Sequence, residues 1–432
     1  MTQSAYRASL LTFTGDPASA PGATVYHGDG AVIVEDGRVI ASGAWAALAA
    51  GLAPTATIHD RRGKLIVPGF IDTHIHYPQT DIIASPAPGL LPWLDTWTFP
   101  AEREFEDEAV ASSTARFFID ELLANGTTTA LVYCTVHKQS VDAFFHASEA
   151  KNLRMVAGKM LMDRNCPAFL RDTPQTGYDD SAELIARWHG RGRQLYALTP
   201  RFAPTSTQAQ FEACAALAKA HPEVFMQSHV AEQRDEVQWV RSLFPRSRSY
   251  TDVYDQYGLL RPRAVYGHCI WLDDTDRERM AQTGAVAAHC PTSNLFLGSG
   301  LFDLDEACGA GMRVTLGTDV GGGTSFSMLQ TMNEAHKVAR MRGHTLSATR
   351  LFWLATAGAA EALGLADTIG TLAPHSEADF VVLDWQATPL LARRTARARS
   401  LEEQLFAFAL LGDDRAVYET YAAGQCVHRR AA

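Results

Sequence analysis

Four histidines and one aspartate draw attention by where they fall. His74 and His76 close the run DTHIH, His229 follows Ser228, His268 follows Gly267, and Asp319 follows Gly317 and Thr318. Neutral imidazole nitrogens with one carboxylate make a donor set that suits zinc, and also iron or nickel. On an extended strand, residues two apart share a face, so His74 and His76 can both reach one ion. A lone H-x-H is weak evidence, because two ordinary core or surface histidines have the same spacing. Here that bland reading must also explain why all five ligand-type residues cap apolar strand candidates. Glu232, three residues beyond His229, can lean over such a metal as a general base without entering its shell. In isolation it would read as a helix-start carboxylate near the positive end of the dipole.

These residues need elements to aim them. Apolar strand candidates occur at Leu65–Ile71, Thr127–Tyr133, Arg154–Met162, Leu195–Thr199, Val224–Ser228, Ala264–Gly267, Ala285–Ala288 and Arg313–Gly317. Helical patterns alternate with them, as at Asp107–Asn125, Gln208–Ala220, Asp235–Leu243 and Asp274–Gln282. Eight strands alternating with helices predict an α/β fold, a (β/α)₈ TIM-like barrel, whose active site lies at the C-terminal strand ends. An open doubly wound sheet is the competing architecture, but no glycine-rich phosphate loop follows the first strand. Both ends of the chain have a different texture. Ala31 to Ala41 reads as a hairpin turning at Asp36-Gly37, Ala378 to Asp384 as a strand, and Val417 to Val427 as two strands around Gly424. The reading is a barrel over 66–370, with a small β-sandwich module assembled from 1–65 and 371–432.

Composition narrows the function classes. The 432 residues are 47% hydrophobic and 20% charged, enough to bury a large core without staples. A formal net charge of −10, with no long basic run, argues against a nucleic-acid surface. No apolar run approaches the ~20 residues that span a bilayer, and the N-terminal stretch does not read as a signal peptide. Seven dispersed cysteines suit reduced thiols, so a cytoplasmic protein without membrane attachment is expected. His375-Ser-Glu377 imitates half of the cytidine-deaminase zinc signature, but no C-x-x-C accompanies it, and a turn of the β module is the expected setting.

The stretch Pro68 to His76, PGFIDTHIH, resembles the strand-one signature of the amidohydrolase superfamily. The remainder resembles its guanine deaminase family, through Gln79, Trp93-Leu94, the run Thr98 to Glu102, Asn125 to Ala130, Thr199 to Phe202, Gln227 to Glu232, His289 to Asn294, Gly317 to Gly322, and Gly412 to Arg415. After the strand-five histidine the chain has Val230-Ala231 where that family often has Ile-Ser; the spacing to Glu232 is unchanged. The resemblance implies one catalytic zinc per chain, with ferrous iron as an alternative, held by His74, His76, His229, His268 and Asp319. It implies Glu232 and Asp319 as proton carriers, His268 as a ligand or a partner of the attacking water, and Gln79, Arg201 and Phe202 as contacts to the purine, beside His76 and His229. The activity implied is hydrolysis of guanine to xanthine and ammonia by a zinc-activated hydroxide, in a homodimer. Deamination of 8-oxoguanine or ammeline is the competing reading, and a scaffold that has lost catalysis the third.

The chemistry required agrees. An aromatic amine is a poor leaving group, so the reaction needs a strong nucleophile and a proton delivered to the ring; zinc lowers the pKa of water toward ~7. Arg201 offers a planar fork of donors suited to O6, and Gln79 can both donate and accept along a purine edge. His289, at the end of strand seven, is expected behind the ligands. Related two-metal enzymes bridge their ions with a carboxylated lysine, usually on strand four. That strand ends here at Arg201, and Lys159 lies on strand three, so one metal is expected. Trp93, Trp97 and Phe99 read equally as an aromatic lid or as barrel packing.

Overall fold

The computed structural model describes residues 3–431. Its centre is a parallel barrel of eight strands: β1 (Phe70–His76), β2 (Thr127–Tyr133), β3 (Arg154–Gly158), β4 (Leu195–Pro200), β5 (Phe225–Val230), β6 (Ala264–His268), β7 (Val286–His289) and β8 (Arg313–Leu316). Neighbours in sequence are neighbours in space, and helices separate them. The helices start where capping residues allow: the side chains of Asp107, Thr207, Asp273 and Ser327 each accept a backbone N–H of the first turn. The barrel closes between β8 and β1, where Asp319 N donates to His74 O and His76 N donates to Val320 O, both at 2.8 Å. The seam is therefore made by candidate ligands.

Inside the barrel, Ile71, Leu131, Val156, Ala197, Phe225, Val265 and Val286 form a dry plug. The helix Ala357–Ala362 closes it from the N-terminal side through Ala359, Ala360 and Ala362. Cores of this kind leave the opposite end for function. Among the described residues no helix is long and apolar enough to cross a membrane.

A second, mixed sheet has seven strands, drawn from residues 4–68 and 380–429. Asp36 and Gly37 turn its hairpin with φ of 49° and 77°, as the left-handed turn needs. The expected first barrel strand, Leu65–Ile71, is divided between the two sheets. Leu65 to Pro68 end the strand Thr57–Pro68 of the second sheet, which lies between Ser4–Phe13 and Phe380–Asp384 with Ile66 opposite both Leu10 and Val382, and the barrel strand begins at Phe70. Pro68 has no N–H to continue a ladder. At Gly69 a Cβ would meet Thr128 Oγ1 at 2.1 Å, so only glycine passes. Because both halves are buried, the sequence is apolar straight across the break. Strand three is also shorter than Arg154–Met162: it stops at Gly158, and Met160–Leu161 pair separately with β4.

The two sheets are tied by a buried ion network. Arg193 Nη2 donates to Glu377 Oε2 at 2.6 Å and pairs with Asp379, and Arg154 Nε donates to Glu377 Oε2 at 2.8 Å. His375-Ser-Glu377 thus lies in a turn, with Glu377 bound to arginines and remote from the barrel mouth. Breaking a buried pair from one side typically costs about 3–5 kcal/mol. Arg193→Leu is therefore expected to shift the denaturant midpoint down by that equivalent while metal content is retained.

Candidate active site

At the mouth, local backbone features aim the side chains. Strand β1 carries a bulge between Asp72 and Ile75 in its pairing with β2, which switches the alternation so that Ile71, His74 and His76 all face inward. His268, the last residue of β6, and Asp319, three residues beyond β8, are in the left-handed region, with φ of 72° and 56°. Histidine and aspartate are among the side chains found there, and such strain concentrates at functional sites. The rings need space as well. A Cβ at Gly267 would lie 2.3 Å from His74 Cε1, so the residue before His268 must be glycine. Asp72 fastens the seam by accepting from the N–H groups of His74 and Thr318, both at 3.1 Å.

The structure brings the five predicted ligands to one point. His74, His229, His268 and Asp319 each offer a donor atom, all within 4.8 Å of one another. His76 Nε2 joins them, 3.1 Å from His229 Nε2 and 3.4 Å from Asp319 Oδ1. His74 Nε2 is 3.3 Å from Asp319 Oδ1. Donors about 2.0–2.1 Å from a shared zinc-sized ion would stand roughly 3–3.5 Å apart. Both ring nitrogens of buried His74, and Nδ1 of His76, have no hydrogen-bond partner among the described residues. Leaving such groups orphaned is costly, and a cation in the cluster would satisfy His74 Nε2, the one that faces Asp319. The cluster therefore fits a divalent metal.

Tautomers are set from behind. His229 Nδ1 donates to Arg201 O at 2.6 Å, and His268 Nδ1 donates to Asn294 Oδ1 at 2.8 Å. Each bond leaves a bare Nε2 facing the cluster. Burial holds His76 and His229 well below the usual imidazole range, so they are neutral donors. Tyr133 stacks on His76, ring centroids 4.3 Å apart, and forms a floor beneath it. Loss of a partner behind a metal ligand commonly costs about 10–100-fold in affinity or activity. Asn294→Ala is expected to weaken metal retention by that factor in a chelator titration, and Asn294→Asp, which keeps an acceptor, less.

Two carboxyls at the cluster are driven apart. Burial acts to raise Asp319, but His74 beside it, and then His268, outweigh it and bring it down to about 2. Burial pushes Glu232 up to about 7; its neighbours Glu236 and Asp319 add to that, against His268. Glu232 Oε1 accepts from Ser299 Oγ at 2.8 Å, and Oε2 faces His268 Nε2 at 3.3 Å. One carboxyl is thus kept charged and one is able to carry a proton near neutrality, which is the usual division of labour in acid–base sites.

Beside the cluster is a cavity. Glu232, His268 and Asp319 line one part of it, and Gln79, Arg201 and Phe202 another. The segment Leu90–Arg103 crosses the mouth, widened to a π turn at Leu94–Thr98, and supplies Leu90, Trp93 and Leu94 as cover. The three aromatics separate: Trp93 lines the cavity, Phe99 lies under the Arg201 guanidinium at 5.4 Å, and Trp97 packs only partly buried outside. Lys159 is absent from the site; it is buried against Asp172. His289, the last residue of β7, stacks on Phe302 and is near enough to His268 to feel its charge.

Sequence reasoning assigned no role to Asp72, Glu102, Tyr133, Asn294 or Ser299. The signal for Glu102 and Asn294 was their place in the matched runs Thr98 to Glu102 and His289 to Asn294. Tyr133 and Ser299 gave none.

Residues 65–427 match the amidohydrolase family. The chain is 47% identical over 432 residues to the guanine deaminase of Escherichia coli (strain K12), covering 99% of this chain and 98% of that one. The solved structure of E. coli guanine deaminase superposes with a TM-score of 0.96, at 46% identity and over 100% of both chains. A guanine deaminase structure from C. acetobutylicum, with bound guanine in the active site, gives a TM-score of 0.88 at 26% identity, over 99% of this chain and 100% of that one.

Proposed function

The chain belongs to the amidohydrolase family, and from that premise we propose that it hydrolyses guanine to xanthine and ammonia. The observation that carries the reading is the two-sided cavity. A metal-ready cluster with a proton-carrying glutamate stands on one side, and the Arg201 guanidinium with the Gln79 amide on the other.

His74, His76, His229, His268 and Asp319 would hold the ion, which we take to be one zinc per chain. When bound, it supplies Lewis acidity that makes a water nucleophilic at neutral pH. The protein's residues do the rest. Glu232 takes a proton from the attacking water at Oε2 and returns it to N3 of the ring as C2 becomes tetrahedral. Asp319 keeps its charge beside the attacking oxygen and helps move a proton to the departing ammonia. His268, fixed by Asn294, directs Nε2 toward the same region. Arg201 donates to O6. Gln79 Oε1 already accepts from Gly321 N at 3.1 Å, so its amide N–H is what remains for the purine edge. Phe202 and Trp93 enclose the flat ring.

Adenine carries an amino donor where guanine carries O6, and would meet the buried Arg201 donor against donor. An ammonia-release assay across guanine, adenine, cytosine and ammeline, with metal measured on the same sample, tests the assignment. Guanine is expected to dominate; faster release from ammeline would overturn it. Losing a hydrogen bond to a charged donor costs about 1.5–3 kcal/mol, so Arg201→Ala should lower kcat/KM for guanine by about 10–100-fold with metal unchanged. Lysine should restore only part, lacking the planar fork. A change within about threefold would remove Arg201 as the anchor.

The same resemblance supports a homodimer, which sizing by light scattering checks. All seven cysteines are free, five of them buried, which supports a reducing cytoplasmic setting.

A further inference from the structure

Behind the purine anchors lies a carboxylate that touches no part of the cavity. Glu102, on the short helix Phe99–Arg103, is fully buried. Arg201 Nη1 donates to both of its oxygens, at 2.8 Å each, and Gln79 Nε2 approaches Oε1 at 3.5 Å. The two side chains assigned to substrate therefore share one counter-charge. Nη1 is consumed by Glu102, whereas Nε and Nη2 have no protein partner among the described residues and Arg201 lines the cavity. The pair also makes the anchor neutral overall, in a pocket where an unpaired guanidinium would attract any anion strongly.

That neutrality matters for the reaction proposed above, on which this inference rests. Replacing the amino group of guanine by a second lactam carbonyl makes the product a stronger acid than the substrate. A fraction of xanthine is anionic near neutrality, when guanine is not. We infer that Glu102 is a positioning and specificity residue: it turns the Nε/Nη2 edge of Arg201 and the amide of Gln79 toward a neutral purine, and cancels the charge that would otherwise retain the anionic product.

Glu102→Gln keeps the shape and removes the charge. Loss of positioning alone would weaken guanine and xanthine together, leaving the ratio of the xanthine inhibition constant to the guanine KM unchanged. The inference expects that ratio to fall by about tenfold or more relative to the parent above the first ionisation of xanthine, and by much less below it. Glu102→Asp, which retains the charge, should keep the parental ratio at both pH values. An unchanged ratio in Glu102→Gln across the pH range, with guanine still turned over by the parent, overturns the inference and leaves the guanine assignment standing. A parent with no guanine turnover overturns that assignment instead. Should the glutamine variant fail to fold, the parent decides alone: xanthine inhibition is expected not to tighten as the pH rises through product ionisation, and tightening by tenfold overturns the inference.

Discussion

Glu232→Gln is expected to keep its metal and lose its turnover. Glutamine preserves the length of the side chain and can still accept from Ser299 Oγ, so the geometry around His268 has little reason to move. It cannot carry a proton. Positioned proton transfer is worth about 10²–10⁴ in rate, and Glu232 would serve both the attacking water and the ring nitrogen, so kcat should fall by at least that range. Metal analysis beside steady-state kinetics checks it. A variant with near-normal kcat would move the proton shuttle elsewhere, to Asp319 first, because it is the other carboxyl facing His268.

The second large effect is loss of the ion itself. His74 is wholly buried and its Nε2, which faces the cluster, has no hydrogen-bond partner among the described residues, so the ring relies on a cation there. His74→Ala should purify with almost no metal and with turnover reduced beyond the range expected for proton transfer alone. His76→Ala should lose metal as well. Elemental analysis of the parent should give close to one equivalent per chain. Two equivalents, or full activity in a thoroughly metal-free preparation, would overturn the mononuclear reading.

The site was legible in the sequence to the extent that its parts are strand ends. His229, His268 and Asp319 could be read because an apolar run stops at each, and in a parallel barrel that places them at one mouth. His74 and His76 could be read from their spacing. What the sequence did not reveal is what holds those side chains, because such partners are set by tertiary contact at separations that carry no local pattern. Asn294 reaches His268 across 26 residues and Ser299 reaches Glu232 across 67. Glu102 is separated from Arg201 by 99, and alone it looks like any acidic residue in a short helix. The misplaced start of β1 has a similar origin. Hydropathy reports burial and is blind to which of two sheets does the burying, so Leu65 to Ile71 read as one strand.

Arg201 occupies both halves of this picture through different parts of itself. Its side chain faces the ring that is to be recognised, whereas its carbonyl oxygen fixes the tautomer of His229. A main-chain oxygen is common to all amino acids. Selection, natural or in the laboratory, can therefore exchange the side chain at 201 without removing the acceptor that orients His229, provided that Glu102, whose buried charge that side chain neutralises, changes with it.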